Sequence, residues 1–477
     1  MGPDGQGDDA GPGTYAQPFA TLQHALIAAV SNDTILLKNG THTQSNTVLV
    51  TLPVHLKGED RYATTVYFPS NFTASQNIHA FSLNADGISM ADLTVERDNF
   101  LAFGAVIEIT GVDFYWPTVR HYDSITLENL DLVGGTRTVL MNPGNFTMRN
   151  CLIRDMDAAS DSAYGQDALA FEITGFTGTV DIANVHIEGA LLGYLGGTRV
   201  RRAFQIEARI GTELCAGVLR LASNTIHDVR EPFLWDCYEN PITNKAAVAF
   251  VHNTIHVTEK TPFTLFAYGS GTEGHEYQKF ESLLVRDNIF ADLGGSSVVR
   301  SDYQYANFAR NFPMGGFTFD HNLLFVDDAR NIADALGAPL AQDPGWFGGS
   351  EFDVAGQDAG LRISYTNAPP FLDPAHGNGN FALNGATDAG RAALGGASDG
   401  GNLGAWPTPK AEVLGVPGTP FTVSWTTVSN MTYLVESSTG GLWTTVGTPV
   451  QATGDYFSAA DTNTTGDHRW FRVKATE

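Results

Sequence analysis

The sequence predicts an all-β protein in which short strands coil into a solenoid. Glycine accounts for 51 of the 477 residues and is dispersed between short β-rich runs, a pattern that indicates many strands and many turns. A unit of alternating strand, asparagine and second apolar strand recurs seven times. The successive asparagines are 21, 34, 40, 29, 35 and 34 residues apart. Variable spacing around a fixed unit indicates a constant rung with loops of different length at its corners.

The first predicted element is a helix over Pro18–Val30. One apolar stripe repeats there at helical spacing, formed by Leu22, Ala25, Leu26 and Ala29. The polar residues 31–33 end the helix, and the apolar run Thr34–Leu37 after them predicts the first strand.

The repeated units follow between residues 125 and 322. They are Ile125–Asn129, Phe146–Asn150, Val180–Asn184, Leu219–Asn224, Val248–Asn253, Leu283–Asn288 and Phe317–Asn322. Asparagine suits a corner because it tolerates the left-handed backbone conformation, and its amide can bond to the same group on the next rung. Seven asparagines in register therefore predict a ladder. The alternative is that they are turn residues in the hairpins of a β-sandwich.

Both ends of this region resemble a known family. The opening residues Pro3-Asp4-Gly5, Gly13-Thr14, 18–26, 33–37 and Gly40-Thr41 look like the N-terminal cap and first rung of secreted right-handed parallel β-helix proteins of the pectate lyase-like superfamily. Asp343-Pro344, 388–390 and 399–406 resemble the closing motif of the same group. The resemblance spans residues 1–410 and implies a right-handed parallel β-helix with an N-terminal helical cap. The group includes polysaccharide lyases of the chondroitinase B and alginate lyase type, related epimerases and hydrolases, and proteins with no assigned activity.

Residues 411–477 have a different pattern and predict a separate small β-sandwich. Alternating strands are expected at Phe421–Trp425, Thr432–Glu436 and Trp470–Val473. The segment resembles the fibronectin-type modules appended to secreted bacterial enzymes. We expect a spacer or anchor, with sugar binding as the alternative.

Composition narrows the classes of partner. Lysine and arginine total 27 against 52 acidic residues, a net charge of −25, which argues against nucleic-acid binding. Any anionic ligand would need a local basic patch. No apolar run reaches the roughly 18 residues of a membrane span, and the turn-rich start lacks the apolar stretch of a signal peptide. We expect a monomeric, secreted bacterial protein whose signal peptide has been removed.

The three cysteines are too few for a disulfide scaffold. Cys215 and Cys237 either form a disulfide or are small buried side chains.

Function is expected on one outward face of the solenoid. From the resemblance, the asparagine corner joins the second and third strands of a coil. The first strands are then Leu169–Ile173, Ala203–Arg209, Phe233–Cys237, Phe263–Tyr268 and Ser297–Ser301. If Phe171, Ile173, Phe204 and Ile206 point inward, period-two alternation sends Glu172, Gln205, Glu207 and Arg209 outward, and Asp236 and Arg300 can join them. Long inserts at the flanking corners would wall a groove. The structural alternative is an inert, solvated face.

The resemblance implies β-elimination on a uronate-containing, acidic polysaccharide. In the resembling lyases, acidic or amide residues on successive first strands bind calcium, and a lysine shortly after one of them is the base. In this sequence Gln205 or Glu207, then Asp236 or Glu239, and then Lys245 occupy comparable places. The candidate Ca²⁺ ligands are Glu172, Glu207, Asp236 and Glu239, and the candidate base is Lys245. Arg209 and Arg300 are candidate neutralisers of the developing charge. The arginine that the family has on the following first strand is absent, and Tyr268 is the titratable residue there.

Other residues complete the candidate groove. His275 is a candidate acid or base in a groove-side insert, whereas His186, His227 and His256 fit stacked structural histidines on third strands. Candidate substrate-binding residues are Arg201, Arg202, Arg230, Trp235, Tyr238 and Tyr303. Ion pairing is the alternative for the arginines, and core packing for Trp235.

Two other functions stay open. A glycoside hydrolase could use carboxylates on neighbouring rungs, either Glu172 with Glu207 or Glu207 with Asp236. A non-catalytic cell-surface protein could use the solenoid as a rigid platform for carbohydrate binding.

Overall fold

The computed structural model describes most of the first 326 residues and shorter stretches after them. The described ranges are 1–69, 79–98, 104–110, 120–156, 168–189, 201–206, 215–229, 231–238, 245–258, 263–268, 279–293, 299–302, 317–326, 362–364, 371–373, 380–383, 393, 397–398, 404–405, 412–414, 421–425, 432–438, 444–451, 458–462 and 470–476.

The described chain is almost entirely β-structure. The strands up to residue 364 are β1 (Thr34–Leu37), β2 (Gly40–Thr43), β3 (Val48–Val50), β4 (His55–Gly58), β5 (Thr64–Phe68), β6 (Phe81–Leu83), β7 (Ser89–Arg97), β8 (Ala105–Ile109), β9 (Ile125–Gly134), β10 (Arg137–Met141), β11 (Phe146–Arg149), β12 (Leu152–Arg154), β13 (Ala168–Ile173), β14 (Thr179–Ala183), β15 (His186–Glu188), β16 (Arg201–Ile206), β17 (Gly217–Ala222), β18 (Thr225–His227), β19 (Glu231–Tyr238), β20 (Lys245–Val251), β21 (Thr254–Thr258), β22 (Phe263–Tyr268), β23 (Lys279–Arg286), β24 (Ile289–Leu293), β25 (Val299–Asp302), β26 (Phe317–Asp320), β27 (Leu323–Val326) and β28 (Arg362–Ser364).

These strands form two long sheets. Among the described residues, one sheet has nine strands in the order β25-β22-β19-β16-β13-β10-β8-β6-β3, and the other has nineteen. From β13 to β24 each strand pairs in parallel with the strand three places later in the chain, as in the series β13, β16, β19, β22 and β25. The two other series run from β14 to β26 and from β15 to β27. This pairing is compatible with a parallel β-helix.

The described parts of the predicted first strands all belong to the nine-stranded sheet, which confirms that part of the prediction. Their inward positions are also confirmed. Phe171, Ile173, Phe204 and Ile206 are fully buried in one apolar core. The rings of Phe171 and Phe204 stack with centroids 5.0 Å apart, because parallel pairing holds the two residues side by side. Cys151 and Cys215 are also fully buried.

The predicted helix is present but shorter. Helix α1 spans Leu22–Ala28, because the Thr21 hydroxyl caps its N-terminus by accepting from the amide of His24, and Ala29 is already extended. Leu22, Ala25 and Leu26 are buried in the core, as the stripe predicts. The predicted first strand Thr34–Leu37 is confirmed as β1. No helix in the described part of the chain is long and apolar enough to cross a membrane.

In each coil from β7 to β27, the chain bends between two successive stretches of the nineteen-stranded sheet. At each of these bends one residue has the left-handed backbone conformation, with a positive φ. These residues stand at equivalent register positions and have φ between 51° and 60°; they are Asp92, Asn129, Asn150, Asn184, Ser223, His252, Asp287 and His321. Such a φ is uncommon for residues with a side chain, and asparagine and aspartate tolerate it best.

The seven predicted asparagines form two groups and not one ladder, so the prediction is confirmed in part. Asn129, Asn150 and Asn184 are the left-handed residues themselves, and the Asn184 Nδ2 donates to Oδ1 of Asn150 at 2.6 Å. The other four stand one position later and are fully buried; they are Asn224, Asn253, Asn288 and Asn322. In this buried ladder each Oδ1 of Asn253, Asn288 and Asn322 accepts the backbone N–H of the preceding asparagine, at 2.7–3.0 Å. Each Nδ2 donates to a carbonyl of the neighbouring coil.

The last part of the chain pairs differently. The remaining strands are β29 (Phe371–Asp373), β30 (Asn380–Leu383), β31 (Glu412–Leu414), β32 (Phe421–Trp425), β33 (Thr432–Ser438), β34 (Thr444–Gln451), β35 (Ser458–Thr462) and β36 (Trp470–Thr476). All of their described pairings are antiparallel, in the orders β29-β30, β31-β32-β35 and β34-β33-β36. The three predicted C-terminal strands are confirmed, whereas the sandwich and the boundary at residue 410 stay predictions.

Because the ladder asparagines are buried and hydrogen-bonded, we expect the loss of one of these side chains to destabilise the fold strongly. We expect Asn253→Ala to lower the free energy of unfolding by about 2–4 kcal/mol, because a buried amide and a buried carbonyl lose their partners. Chemical denaturation measures the change. Asn46→Ala, at an exposed position, is the control and should change stability by less than about 0.5 kcal/mol. Equal effects of the two substitutions would contradict the structural role of the ladder.

Candidate functional site

The candidate site lies on the face of the nine-stranded sheet that points away from the core. We call its central line of paired positions the polar column. It consists of Ser82, Glu108, Leu140, Glu172, Gln205 and Leu234, and it continues through the strand positions of Thr264 and Arg300. Phe171 and Ile173 flank Glu172 on β13 and point into the core, so alternation puts the column on the opposite face. From Ser82 to Leu234 every side chain of the column is nevertheless at most 9% exposed.

Hydroxyl groups surround the carboxylate of Glu108 at one end of the column. Ser82 donates to Oε2 at 2.5 Å, and Thr110 donates to Oε1. The ring of His79 comes within 3.9 Å of the same carboxylate through Nε2. Glu108 is therefore held by short hydrogen bonds within a buried polar layer.

The protonation of His79 follows from its contacts. Its Nδ1 accepts the backbone N–H of Ala105 at 3.0 Å, so the neutral ring has its proton on Nε2, toward Glu108. Burial lowers the pKa of His79; the charge of Glu108 opposes this shift, and Arg97 and Arg137 add to it. The imidazole is thus neutral at neutral pH.

Arg97 adds a buried positive charge beside this end. It is 5% exposed and donates to the backbone carbonyls of Gly104 and Ala105. Burial lowers the pKa of Arg97 to about 10, so the guanidinium stays protonated at neutral pH.

Glu172 forms an ion pair with Arg137 in the middle of the column. The two side chains are 3% and 6% exposed, and the Arg137 Nε contacts a carboxylate oxygen. The predicted role of Glu172 as a calcium ligand does not fit this arrangement, because Arg137 already supplies the compensating positive charge. On the next strand Gln205 accepts from Nη1 of the partly exposed Arg202 at 2.9 Å.

Two side chains of the polar layer have buried polar atoms without hydrogen bonds. Asn142 and Thr138 are fully buried. Within the described part of the chain, neither the Asn142 amide nor the Thr138 hydroxyl has a hydrogen-bond partner. Asn142 follows Met141, which pairs with Ile109 and Ile173 in the core, so alternation puts Asn142 on the outer face. Buried unpaired polar groups are rare in folded proteins and mark places where a small polar molecule can bind.

Glu172 and Asp236 of the predicted stripe stand in different columns. The residue paired with Glu172 on the next strand is Gln205, and Leu234 follows on β19. Asp236 stands two residues further along β19 and pairs with Phe266, which pairs with Asp302. Glu172 therefore has Gln205 as its neighbour, where the first predicted carboxylate pair needs Glu207. The second predicted pair, Glu207 with Asp236, stays a prediction, because Glu207 lies outside the described residues.

Other predicted residues have known backbone positions. Arg201, Asp236, Tyr238, Lys245, Tyr268 and Arg300 lie in described strands. Tyr238 pairs with Tyr268, and Lys245 pairs with Lys279 of β23. Trp235 is 4% exposed and packs in the core, which corrects its predicted role in stacking on sugars. The remaining predicted residues lie outside the described part of the chain: Glu207, Arg209, Arg230, Glu239, His275 and Tyr303.

The sequence prediction did not include His79, Glu108, Arg137 or Asn142. Glu108 had a usable signal, since it is the one charged residue in the apolar strand Ala105–Ile109. Extending the alignment of first strands toward the N-terminus would have found it. The other three had no comparable signal, because their proximity depends on pairing between distant strands.

Comparisons with known proteins do not assign this chain to a family. A scan against models of protein families found no match, and a search of curated proteins found no relative. The functional argument therefore uses the geometry of the site.

The buried ion pair predicts a strong effect of removing one partner. We expect Glu172→Gln to lower the free energy of unfolding by about 3–5 kcal/mol, because the Arg137 charge stays buried without this carboxylate. The double variant Glu172→Met/Arg137→Met should recover much of the loss. Chemical denaturation of both variants measures this, and a cost below about 1 kcal/mol for Glu172→Gln would contradict the pairing.

The lowered pKa of His79 predicts that the folded protein loses stability in acid. Its pKa is lower in the folded than in the unfolded chain, so the unfolded state binds more protons as the pH falls below about 6.5. Folding stability should therefore decrease from pH 7 to pH 5, and His79→Gln should reduce that decrease. Thermal unfolding across this range measures it. His55→Gln, at a half-buried histidine of β4, is the control for replacing a histidine. A His79→Gln variant that keeps the full decrease would contradict this role of His79.

Proposed function

We propose that this chain is an extracellular protein that binds an acidic polysaccharide along the outer face of the nine-stranded sheet and cleaves it by β-elimination. The observation that carries the proposal is the cluster of buried and half-buried arginines at this face. Arg97, Arg137 and Arg202 lie at or beside the polar column in a chain whose net charge is −25. Charged residues are seldom buried without a role, and such groups concentrate at functional sites.

The proposal includes a specific fold. We propose that the two parallel sheets are faces of a right-handed parallel β-helix with three strands per coil, capped by α1, and that residues 411–477 form a separate β-sandwich that serves as a spacer or anchor. Pairing of each strand with the strand three places later supports the coil. Neighbouring strands lie about 4.8 Å apart, so a linear polymer along the axis meets a new strand at each step. The handedness and the extracellular location are supported by the family resemblance alone.

The chemistry has two requirements that arginine and lysine can meet. Removing the proton next to a uronate carboxylate needs a cation that neutralises the developing negative charge, and it needs a base. Electrons from the broken C–H bond then form a double bond and expel the glycosidic oxygen. We propose Lys245 as the base; it begins β20 of the nineteen-stranded sheet and follows β19 of the nine-stranded sheet by seven positions in the sequence. We propose Arg202 and Arg300 as neutralising groups and Tyr268 as a proton donor to the leaving oxygen. No step is assigned to calcium, since Glu172 is paired with Arg137.

A second candidate is a glycoside hydrolase. Glu108 and Glu172 stand in the same column with Leu140 between them. Two strand spacings separate their backbones by about 9–10 Å, close to the carboxylate separation of inverting enzymes. The existing contacts of Glu172 with Arg137 favour the lyase over this alternative.

One assay distinguishes these functions. Incubation with alginate, chondroitin sulfate, dermatan sulfate, pectate and fucoidan, with and without added Ca²⁺, should give the ultraviolet absorbance of an unsaturated uronate on at least one polymer. New reducing ends without that absorbance would indicate a hydrolase. Binding without either product would indicate a recognition protein.

The assignment of the base has a separate test. Lys245→Met should lower the lyase rate by at least about 100-fold, because general-base catalysis contributes a factor of this size. Lys57→Met, at an exposed lysine of β4, is the matched control and should leave the rate unchanged. A Lys245→Met variant that is folded by circular dichroism and retains the full rate would rule out Lys245 as the base.

A further inference from the structure

A second cluster of ionisable groups lies on the nineteen-stranded sheet, away from the polar column. His186 and Glu188 belong to β15, on either side of the core residue Ile187, so both are on the outer face of that strand. His227 of β18 pairs directly with Glu188. The parallel register therefore brings two imidazoles and a carboxylate from neighbouring strands to one place.

The ligand atoms of these residues are close together. One nitrogen or oxygen from each of the three side chains lies within 4.8 Å of the other two. The Nε2 atoms of His186 and His227 are 2.6 Å apart, and the two rings are nearly perpendicular. Two nitrogen lone pairs repel each other, so this approach needs a proton or a cation between them.

Asp228 sets the orientation of His227. The His227 Nδ1 lies 3.0 Å from a carboxylate oxygen of Asp228, and these side chains are 3% and 2% exposed. Nδ1–H therefore donates to Asp228, which leaves the lone pair of the neutral ring on Nε2, toward His186. A carboxylate that holds the far nitrogen of a histidine is the arrangement found behind metal-bound histidines.

The surroundings favour a neutral His186. Burial lowers the pKa of His186 well below its usual value, and the charges of His227 and Arg61 lower it further. Burial raises the pKa of Glu188; Asp155 and Asp228 add to this shift, while His227 and Arg154 oppose it. His256 is the residue paired with His227 on the following strand. The negative charges next to the rings are those of Glu188 and Asp228, whereas Asp155 is paired with Arg154.

We propose that His186, Glu188 and His227 bind one divalent transition-metal ion, which we identify by its chemistry as Zn²⁺, and that Asp228 orients His227 behind it. Two imidazole nitrogens and one carboxylate oxygen are the three protein ligands of many zinc centres that keep a fourth position for water or substrate. Calcium and magnesium prefer oxygen ligands, so this set of donors selects against them.

The geometry accommodates the ion with a small adjustment. Zinc–nitrogen bonds of about 2.0–2.1 Å in tetrahedral geometry put two ligand nitrogens roughly 3.3 Å apart. The Nε2 atoms need to separate by less than about 1 Å from their 2.6 Å contact, which rotation of the rings supplies. This site is independent of the proposed polysaccharide chemistry, because it shares no residue with the polar column.

Titration of the full-length chain with zinc sulfate tests the proposal. The protein should have no histidine tag and should first be stripped of metal with a chelator. We expect one Zn²⁺ per chain, and Co²⁺ at the same site should give the visible absorbance of a four-coordinate ion. His227→Ala should abolish this binding. Asp228→Asn should weaken it about 10–100-fold through loss of the orienting carboxylate. His55→Ala, on β4 of the same sheet, is the control and should bind as the unmodified chain does.

A measurement without substitutions covers the case of a variant that fails to fold. In the unmodified chain, Zn²⁺ should protect the half-buried His186, but not His55, from modification by diethyl pyrocarbonate, as mapped by mass spectrometry. Absence of stoichiometric zinc binding, or equal affinity in the unmodified chain and a folded His227→Ala variant, would overturn the proposal. The two histidines would then be a hydrogen-bonded structural pair. Neither result depends on whether the chain cleaves a polysaccharide.

Discussion

One left-handed residue per coil is the constraint on which the register of the sheets depends. From Asp92 to His321 the bend between paired strands has a positive φ at the same register position in every described coil. A positive φ at one residue turns the next residue into the core. In the later coils that residue is asparagine, and its amide bonds to the backbone of neighbouring coils. The bend and the amide ladder together keep strands about 30–40 residues apart in the sequence paired without a shift.

Both candidate sites are consequences of this register. Alternation along a strand decides only which face a side chain takes, whereas pairing between strands decides which side chains become neighbours. Glu172 contacts Arg137 from the preceding strand of its sheet, and His186 contacts His227 from the following one. The charges of the polar column are buried in pairs or beside hydroxyl groups, which lowers the cost of removing them from water. A shift of one residue would separate both sets of partners.

The sequence predicted the repeating strands well because their signal is local. The first strands of five coils were placed from the asparagine units with the help of the family resemblance, and β1 was identified from its apolar run. Alternation then gave the inward phenylalanines. The asparagine ladder was predicted in part: the four later asparagines form it, while Asn129, Asn150 and Asn184 occupy the left-handed position itself. The units that end at Asn129, Asn150 and Asn184 have five residues and the later units have six. This difference in length does not by itself show that the extra position takes the left-handed conformation and turns the asparagine into the core.

By itself the sequence determined the strand periodicity, the core face of the strands and the acidic charge of the chain. The first two depend on residues that are near neighbours in the sequence, and the charge depends only on the number of acidic and basic residues. Tertiary structure alone decided that Gln205 stands beside Glu172, that Arg137 neutralises Glu172, and that His186 meets His227. Inserts of different length separate successive coils, so sequence spacing does not specify which outward residues oppose each other. That choice is made by backbone hydrogen bonds between strands, which carry no signature in the side chains they bring together.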